Sequence, residues 1–382
     1  MDIAPIREAV QRAIAPLTAA TPQSSAAKDF LFTGRRMAAR LPEYYLVYFL
    51  LVDLLGFKNL GQFEKIAWSV PVDLRGRAFL IEHRKFGIGV FGGDAPTDEN
   101  DAAEVAELIR RGVKAAEPYF TWRAAEAVRA SQLNVVNKAG ELFERYRYFA
   151  DRYKEVRAEA ERRKDETIRT DIRPNAWTIS RPSVALRRQA KWLALSTIES
   201  FFSWTEHVFI LLAILQSRCT TGDEVAKLAS ANWATKYKAG LDLTDVEDKR
   251  FYGELIAIRR QLRNFVAHGA FGKDGEAFLF HSNCGTVPVR LPHQEDAASF
   301  RFGRGIEFVD HDAIELLEAF VAHLWSGARA PAKLYIQDHG MPLILTMAQS
   351  GEYQAAMVSE EAMTAFSDHL GQLMDRYSNM DF

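Results

Sequence analysis

From Ile258 to Gly269 the chain reads Ile-Arg-Arg-Gln-Leu-Arg-Asn-Phe-Val-Ala-His-Gly, so guanidinium groups, an amide and an imidazole fall within a few helical turns. At about 100° per residue, Phe251, Leu255, Ile258, Leu262, Phe265 and Val266 form one apolar stripe. Asn264 and His268 are four apart and share a line facing away from that stripe. Arg263 lies on the other shoulder of the polar side, with Arg259 one turn before it. Gly269 is a helix stop, which puts His268 in the last turn, where unpaired carbonyls favour the protonated imidazole. Phosphodiester chemistry needs these groups: an imidazole to move a proton and a guanidinium to fork onto phosphate oxygens.

The positioning elements follow from periodicity. The spacing predicts a core helix over 41–57 and a small antiparallel sheet from Ile66–Val72, Arg77–Arg84 and Gly87–Phe91, with turns at Arg75-Gly76 and Lys85-Phe86-Gly87. Residues 98–168 read as helical with a break at Pro118. Within them Glu141–Glu166 mixes acids and bases as a solvated helix face does, and reads as an arm between domains. Arg173-Pro174-Asn175 and Arg181-Pro182-Ser183 mark a boundary. Helices are expected over 184–217, 223–238 and 245–268, the last opened by a Thr244/Glu247 capping box. Strands follow at Ala277–His281, Thr286–Leu291 and Gly305–Val309, then a helix over His311–Trp325 and a strand–turn–strand–helix over 333–380. The class is α+β, predominantly helical. Its parts are an N-terminal α+β region (1–175), a helical domain with a β-hairpin insertion (176–330) and a C-terminal extension (331–382).

Arg263-Asn264-x-x-x-His268 at the end of a long amphipathic helix resembles the R-x4-H signature of HEPN domains, the higher-eukaryote-and-prokaryote nucleotide-binding helical bundles. Phe201-Phe202-x-x-x-Glu206-His207-x-x-x-Leu211-Leu212 is similar to the preceding core helix of bacterial HEPN proteins linked to phage defence. Trp233-x-x-Lys236-x-Lys238 and Phe280-His281-x-x-x-Gly285-x-Val287-Pro288-Val289 look like the family's flanks, so the resemblance covers 184–326. It implies a HEPN-like bundle and a dimeric, metal-independent endoribonuclease that leaves a cyclic phosphate. His268 would then be the base for the 2′-hydroxyl or the leaving-group acid, Arg263 the stabiliser of the pentacovalent phosphate, and Asn264 an orienting group. Glu206 would be the polar partner from the facing helix, with Glu199 as its alternative. The resemblance further implies RNA as substrate, a homodimer, an antitoxin or phage-derived trigger as partner, and the role of a toxin or anti-phage effector. A non-catalytic HEPN-fold module that binds RNA or a partner is the competing class.

Arg259 and Arg260 are surface residues or phosphate contacts. Lys236 and Lys238, beside Trp233 and Tyr237, form a basic-aromatic RNA platform or simply flank core packing. Asp73 with Glu82-His83-Arg84-Lys85 faintly follows the acid–acid–base pattern of metal-dependent DNA nucleases, but a surface hairpin of mixed charge explains it better. Asp310-His311-Asp312 reads as an N-cap rather than a metal cluster, and Cys284 as structural. The chain lacks HExxH, paired CxxC, GxSxG and Walker patterns, which removes support for zinc proteases, zinc ribbons, serine hydrolases and P-loop enzymes. No metal or cofactor is expected. With 48 Lys+Arg against 50 Asp+Glu, the 382-residue chain is not a uniformly basic coat protein, though a local basic groove remains open. Two cysteines, Cys219 and Cys284, suggest a reducing compartment. MDIAPIREAV has no basic start followed by an apolar core, and the runs Tyr44–Phe57 and Val208–Leu215 are short of a bilayer span, so a cytoplasmic protein off the membrane is expected.

Overall fold

The computed structural model describes residues 1–25, 30–93, 98–174, 176–268, 278–290, 301–303 and 309–380; at 32, 261–268, 290 and 301 it describes the backbone only. The protein is α+β and mostly helical. Its contacts divide it into two compact units, Met1–Ala130 with Asp368–Phe382, and Ser131–Ser367. The division thus falls at 130/131 rather than at 175, and most of 331–382 belongs to the second unit.

In the first unit the elements are α1 (Ala4–Ile14), β1 (Leu17–Ala19), β2 (Gly34–Arg35), α2 (Tyr44–Tyr48), β3 (Ile66–Leu74), β4 (Arg77–Arg84), β5 (Gly87–Gly92), α3 (Asp98–Ala115) and α4 (Glu117–Arg129). The strands form one antiparallel sheet in the order β1-β3-β4-β5-β2. Its three long strands are those expected; the short edges β1 and β2 carry too few residues to show a period-2 pattern. Arg75 and Gly76 both have positive φ, as a two-residue hairpin turn of matching twist requires, and Asp73 Oδ1 accepts the Gly76 N–H at 2.7 Å. One sheet face packs Val70 and Ile81 against Val10, Leu50, Val105 and Ile109 of the helices, while the opposite face packs Leu80 and Phe91 against Phe30. The Asp73–Lys85 segment is therefore not a surface hairpin. Glu82 is only 2% exposed, bonded to Ser69 Oγ at 2.8 Å and to Arg84 Nε at 2.7 Å. Ser69 pairs with Glu82 but Asp73 pairs with Ala78, so the two carboxylates sit four register steps apart, roughly 13 Å along the strands. That spacing does not make a metal centre.

The second unit runs β6 (Asn134–Val135), α5 (Ala139–Arg162), β7 (Ile168–Arg173), β8 (Ala176–Ser180), α6 (Pro182–Leu215), α7 (Gly222–Ser230), α8 (Trp233–Gly240), α9 (Val246–His268), β9 (Phe278–Ser282), β10 (Gly285–Arg290), β11 (Arg301–Phe302), α10 (Asp310–Leu324), α11 (Ala330–Lys333), β12 (Leu343–Ile344), α12 (Leu345–Ser350) and α13 (Glu352–Ala356), with α14 (Glu360–Asn379) crossing the unit division. Helix α5 is not an inter-domain arm. Tyr146, Ala150, Tyr153, Val156 and Ala160 recur at helical spacing and are buried, α5 packs along α6, and its charges pair outward as in Arg152–Glu155. Helix α6 is the unit's core helix. Among the described residues it is long and apolar enough to cross a bilayer, yet 72% of its apolar window is buried within the fold.

Two expectations are corrected here. The region 333–380 is not strand–turn–strand–helix: Leu334–Asp338 is a wide helical turn closed by a Lys333–Asp338 ion pair at 2.9 Å, and one short strand, β12, pairs with β6. Its β-prone residues fill a buried knot in which Tyr335 donates to the Pro342 carbonyl at 2.7 Å and Tyr353 accepts the Ile344 N–H at 2.7 Å. At the start of α9 the cap is Asp245, whose Oδ1 accepts the N–H groups of Glu247 and Asp248 at 2.9 Å, not Thr244. A full capping box does occur at Thr221/Glu224, opening α7.

Candidate active site

The site is built where α6, α8 and α9 meet. Along α6, Phe201, Phe202, Thr205, Val208 and Phe209 are buried, and Glu206 and His207 stand at the edge of that apolar surface. Thr205 Oγ1 accepts the Trp233 indole N–H at 3.0 Å, fixing the first turn of α8 on α6, and Asn232 caps α8 by accepting the Thr235 N–H at 2.9 Å. One turn further, Lys236 Nζ reaches Glu206 Oε2 at 3.0 Å. From α9, Arg259 Nη2 reaches Glu206 Oε1 at 3.1 Å. The guanidinium also lies 5.8 Å from the Phe202 ring centre and 5.9 Å from that of Trp233. One carboxylate thus serves two cations, leaving a net positive group on an aromatic shelf. Such an arrangement holds a guanidinium in a fixed pose at the rim and can receive an anion.

Three of the sequence-selected residues, Glu206, Lys236 and Arg259, therefore come together. Lys236 needs correcting as a surface cation: its side chain is 8% exposed and its charge faces Glu206. Trp233 and Tyr237 are fully buried core residues rather than an RNA platform. Lys238 is exposed, its Nζ 5.3 Å from the Tyr252 ring centre, and Arg260 is exposed. Glu199 is exposed as well. Phe251, Leu255 and Ile258 of the α9 stripe are buried as expected. Arg263, Asn264 and His268 lie in α9, whose backbone is helical through His268; their side chains are outside the described residues, as are those of Leu262, Phe265 and Val266. His207 stands apart from the Glu206 ion pairs. Its Nε2 accepts the Lys138 N–H at 2.8 Å, and burial lowers its pKa below the ordinary histidine value.

Sequence reasoning missed a second cluster at the beginning of α9. Asp248, 1% exposed, accepts from His323 Nε2 at 2.5 Å on one oxygen and from Arg329 Nη1 at 3.0 Å and the Asp242 N–H at 3.2 Å on the other. The Tyr237 hydroxyl donates to its carbonyl at 2.7 Å, and burial holds that phenol above its ordinary pKa. No spacing rule could have found this set, because its members are 75 and 81 residues apart. Asp245, Asp248 and His323 are close enough to hold a cation. The Arg329 guanidinium already supplies the positive charge there, so the cluster reads as a tertiary anchor.

The remaining candidates carry no chemistry. Val309, not Asp310, precedes the first turn of α10, and His311 pairs with Glu315 at 3.0 Å. Cys284 is exposed in the β9–β10 turn with its Sγ 2.8 Å from Ser282 Oγ. A cleft of about 600 Å³ between α5, α6 and the start of α10, lined by Tyr153, Arg157, Arg187 and Asp310 among others, takes none of the described residues of α8 or α9. Compared with protein-family models, curated proteins and solved structures, the chain matches none.

Proposed function

We propose that the chain is a metal-independent endoribonuclease of HEPN type, with Arg263 and His268 as its catalytic pair. One observation supports the reading: the Glu206 carboxylate of α6 binds Arg259 one turn before position 263, so α9 carries its Arg–Asn–His turns onward from a face already engaged by an acid–base cluster. In the reaction, His268 takes the proton of a 2′-hydroxyl, whose oxygen attacks the adjacent phosphorus. Arg263 offsets the charge on the pentacovalent phosphate, and Asn264 orients the groups beside it. The 5′-oxygen leaves with the proton that His268 gives back, so the step closes with a 2′,3′-cyclic phosphate, a free 5′-hydroxyl and a neutral imidazole. Arg259 and Arg260 contact neighbouring phosphates, Glu206 and Lys236 hold Arg259 in place, and Lys238 adds charge at the rim. A homodimer brings each Arg263 towards the partner's His268, because an isologous interface pairs i with j and j with i. A cytoplasmic toxin or anti-phage effector, restrained by an antitoxin or released by a phage-derived trigger, is the role that goes with this activity.

The test is incubation of the purified protein with total RNA in EDTA, beside His268→Ala. Cleavage should survive chelation and fall by roughly 10²–10⁴-fold in the variant. Full activity in His268→Ala, or strict dependence on magnesium, would overturn the mechanism. Intact RNA with retained affinity would favour the binding-module reading.

A further inference from the structure

The hairpin β7–β8 is exposed on both faces. Between Thr167 and Trp192 the chain carries Arg169, Arg173, Arg181, Arg187, Arg188 and Lys191 against the single acid Asp171, a local excess of positive charge in a chain of formal net charge -2. The register puts Arg169 opposite Ile179 and Asp171 opposite Trp177, so these four residues share one face of the ribbon. Trp177 is 51% and Ile179 53% exposed, and the Arg169 guanidinium lies 5.1 Å from the Trp177 ring centre. The pattern repeats at once in the first turns of α6. Val184, Arg188 and Trp192 recur at i,i+4 on one exposed helix line, with Trp192 60% exposed and Arg188 5.7 Å from its ring centre. Of the acids around this segment, Glu161 pairs with Lys164 and also faces Arg187, Glu166 just beyond α5 pairs with Arg163, Asp310 faces Lys191, and Asp171 bonds Arg169 at 3.1 Å.

Two exposed indoles, each beside a guanidinium on a strongly positive segment, have the make-up of a stacking surface for unpaired bases with phosphate contacts alongside. An apolar protein partner would match the indoles but not the charge. We infer that β7–β8 and the first turns of α6 bind single-stranded nucleic acid, stacking bases on Trp177 and Trp192 and pairing phosphates with the arginines. The RNA identity of that strand rests on the function proposed above; the binding surface does not.

The experiment uses the full-length protein and a fluorescein-labelled 2′-O-methyl uridine 12-mer, which lacks the hydroxyl needed for cleavage, followed by anisotropy. Trp177→Ala and Trp192→Ala should each weaken binding about 5- to 150-fold, the range for losing one base–aromatic stack. Each of Arg169→Ala and Arg188→Ala should lower the slope of log K against log salt by about 0.7. A 12-base-pair duplex should bind more weakly than the single strand. Both tryptophans lie outside the core, so circular dichroism and the thermal midpoint should not move. Unchanged affinity in the tryptophan variants, absence of binding, or equal affinity for the duplex would overturn the inference. So would a fall in molar mass by light scattering with affinity unaltered, which would make the ribbon a self-association arm. Failure here leaves the His268 result untouched, and activity in His268→Ala leaves this surface standing.

Discussion

At the start of α9, Asp248 is buried and both its oxygens are taken by His323, Arg329 and a backbone N–H. Eleven residues on, roughly 16 Å along the helix, Arg259 meets Glu206 at a rim where the carboxylate side chain is 32% exposed. Both clusters set one acid between two bases, yet they differ in what water can reach. The first closes every hydrogen bond inside the protein, so it fixes how α9 meets α10 and the turn after it. The second leaves one guanidinium at the surface, on an aromatic shelf, where an incoming anion can share it. Burial therefore separates an anchor from a candidate site more sharply than residue type does.

The largest effect expected from breaking this contrast is on stability. Asp248→Ala leaves His323 and Arg329 facing each other without their acid, and loss of one partner from a buried ionic set costs about 3–5 kcal/mol. Urea unfolding should show that loss, with cleavage per folded molecule unchanged. A stability change below about 1 kcal/mol, or a catalytic loss that folding does not account for, would remove the distinction between the two clusters.

The rim cluster should respond less and in a different way. Glu206→Ala strands Lys236, which is nearly buried, so about 1–3 kcal/mol is expected, at the lower end because Glu206 itself is half in water. Glu206→Ala/Lys236→Met should recover most of this, since no buried charge is then left unpaired and the Arg259 guanidinium stays within reach of water at the rim. Failure of the double variant to recover would mean that Glu206 acts chiefly through Arg259. Arg259→Ala/Arg260→Ala, by contrast, should barely change stability while weakening RNA binding and lowering its salt slope by about 0.7 per lost phosphate contact. Affinity and slope both unchanged would place the phosphate contacts elsewhere.

Much of this arrangement is legible in the sequence, and the exceptions have physical causes. The long strands β3–β5 and helices α6, α9 and α10 announce themselves because burial on a regular element writes a period into the chain. Arg259 stands out for the same reason, as a polar residue beside the α9 apolar stripe, whereas Glu206 is singled out only by the resemblance of its helix to HEPN proteins. Lys236 does not declare its burial: its spacing from Trp233 is the same whether the aromatic lies in the core or on a surface. The hairpin β7–β8 reads as punctuation, because Pro174 and Pro182 dominate the pattern and neither strand has a buried face to create alternation. Asp248 is invisible, since its partners are brought to it only by the fold.

The smallest predicted effect tests a third polar group, His207, which neighbours Glu206 in sequence but takes no part in its ion pairs. Its Nε2 accepts the Lys138 N–H, a role open only to the neutral ring, and burial lowers its pKa below the unfolded value of about 6.5. A depressed pKa means that the unfolded chain takes up the proton first. The contribution is thus complete above about pH 6.5 and is lost as pH falls from there through the lower folded value. His207→Gln keeps an acceptor at this position but cannot titrate. Thermal midpoints measured from pH 7.5 to pH 5 should fall more steeply for the wild type than for this variant, while the two converge in slope above neutrality. Equal slopes throughout would mean that the imidazole does not carry this pH dependence. A gentler wild-type slope would reverse the sign of the argument and assign His207 to the rim cluster, where protonation would be favoured by Glu206.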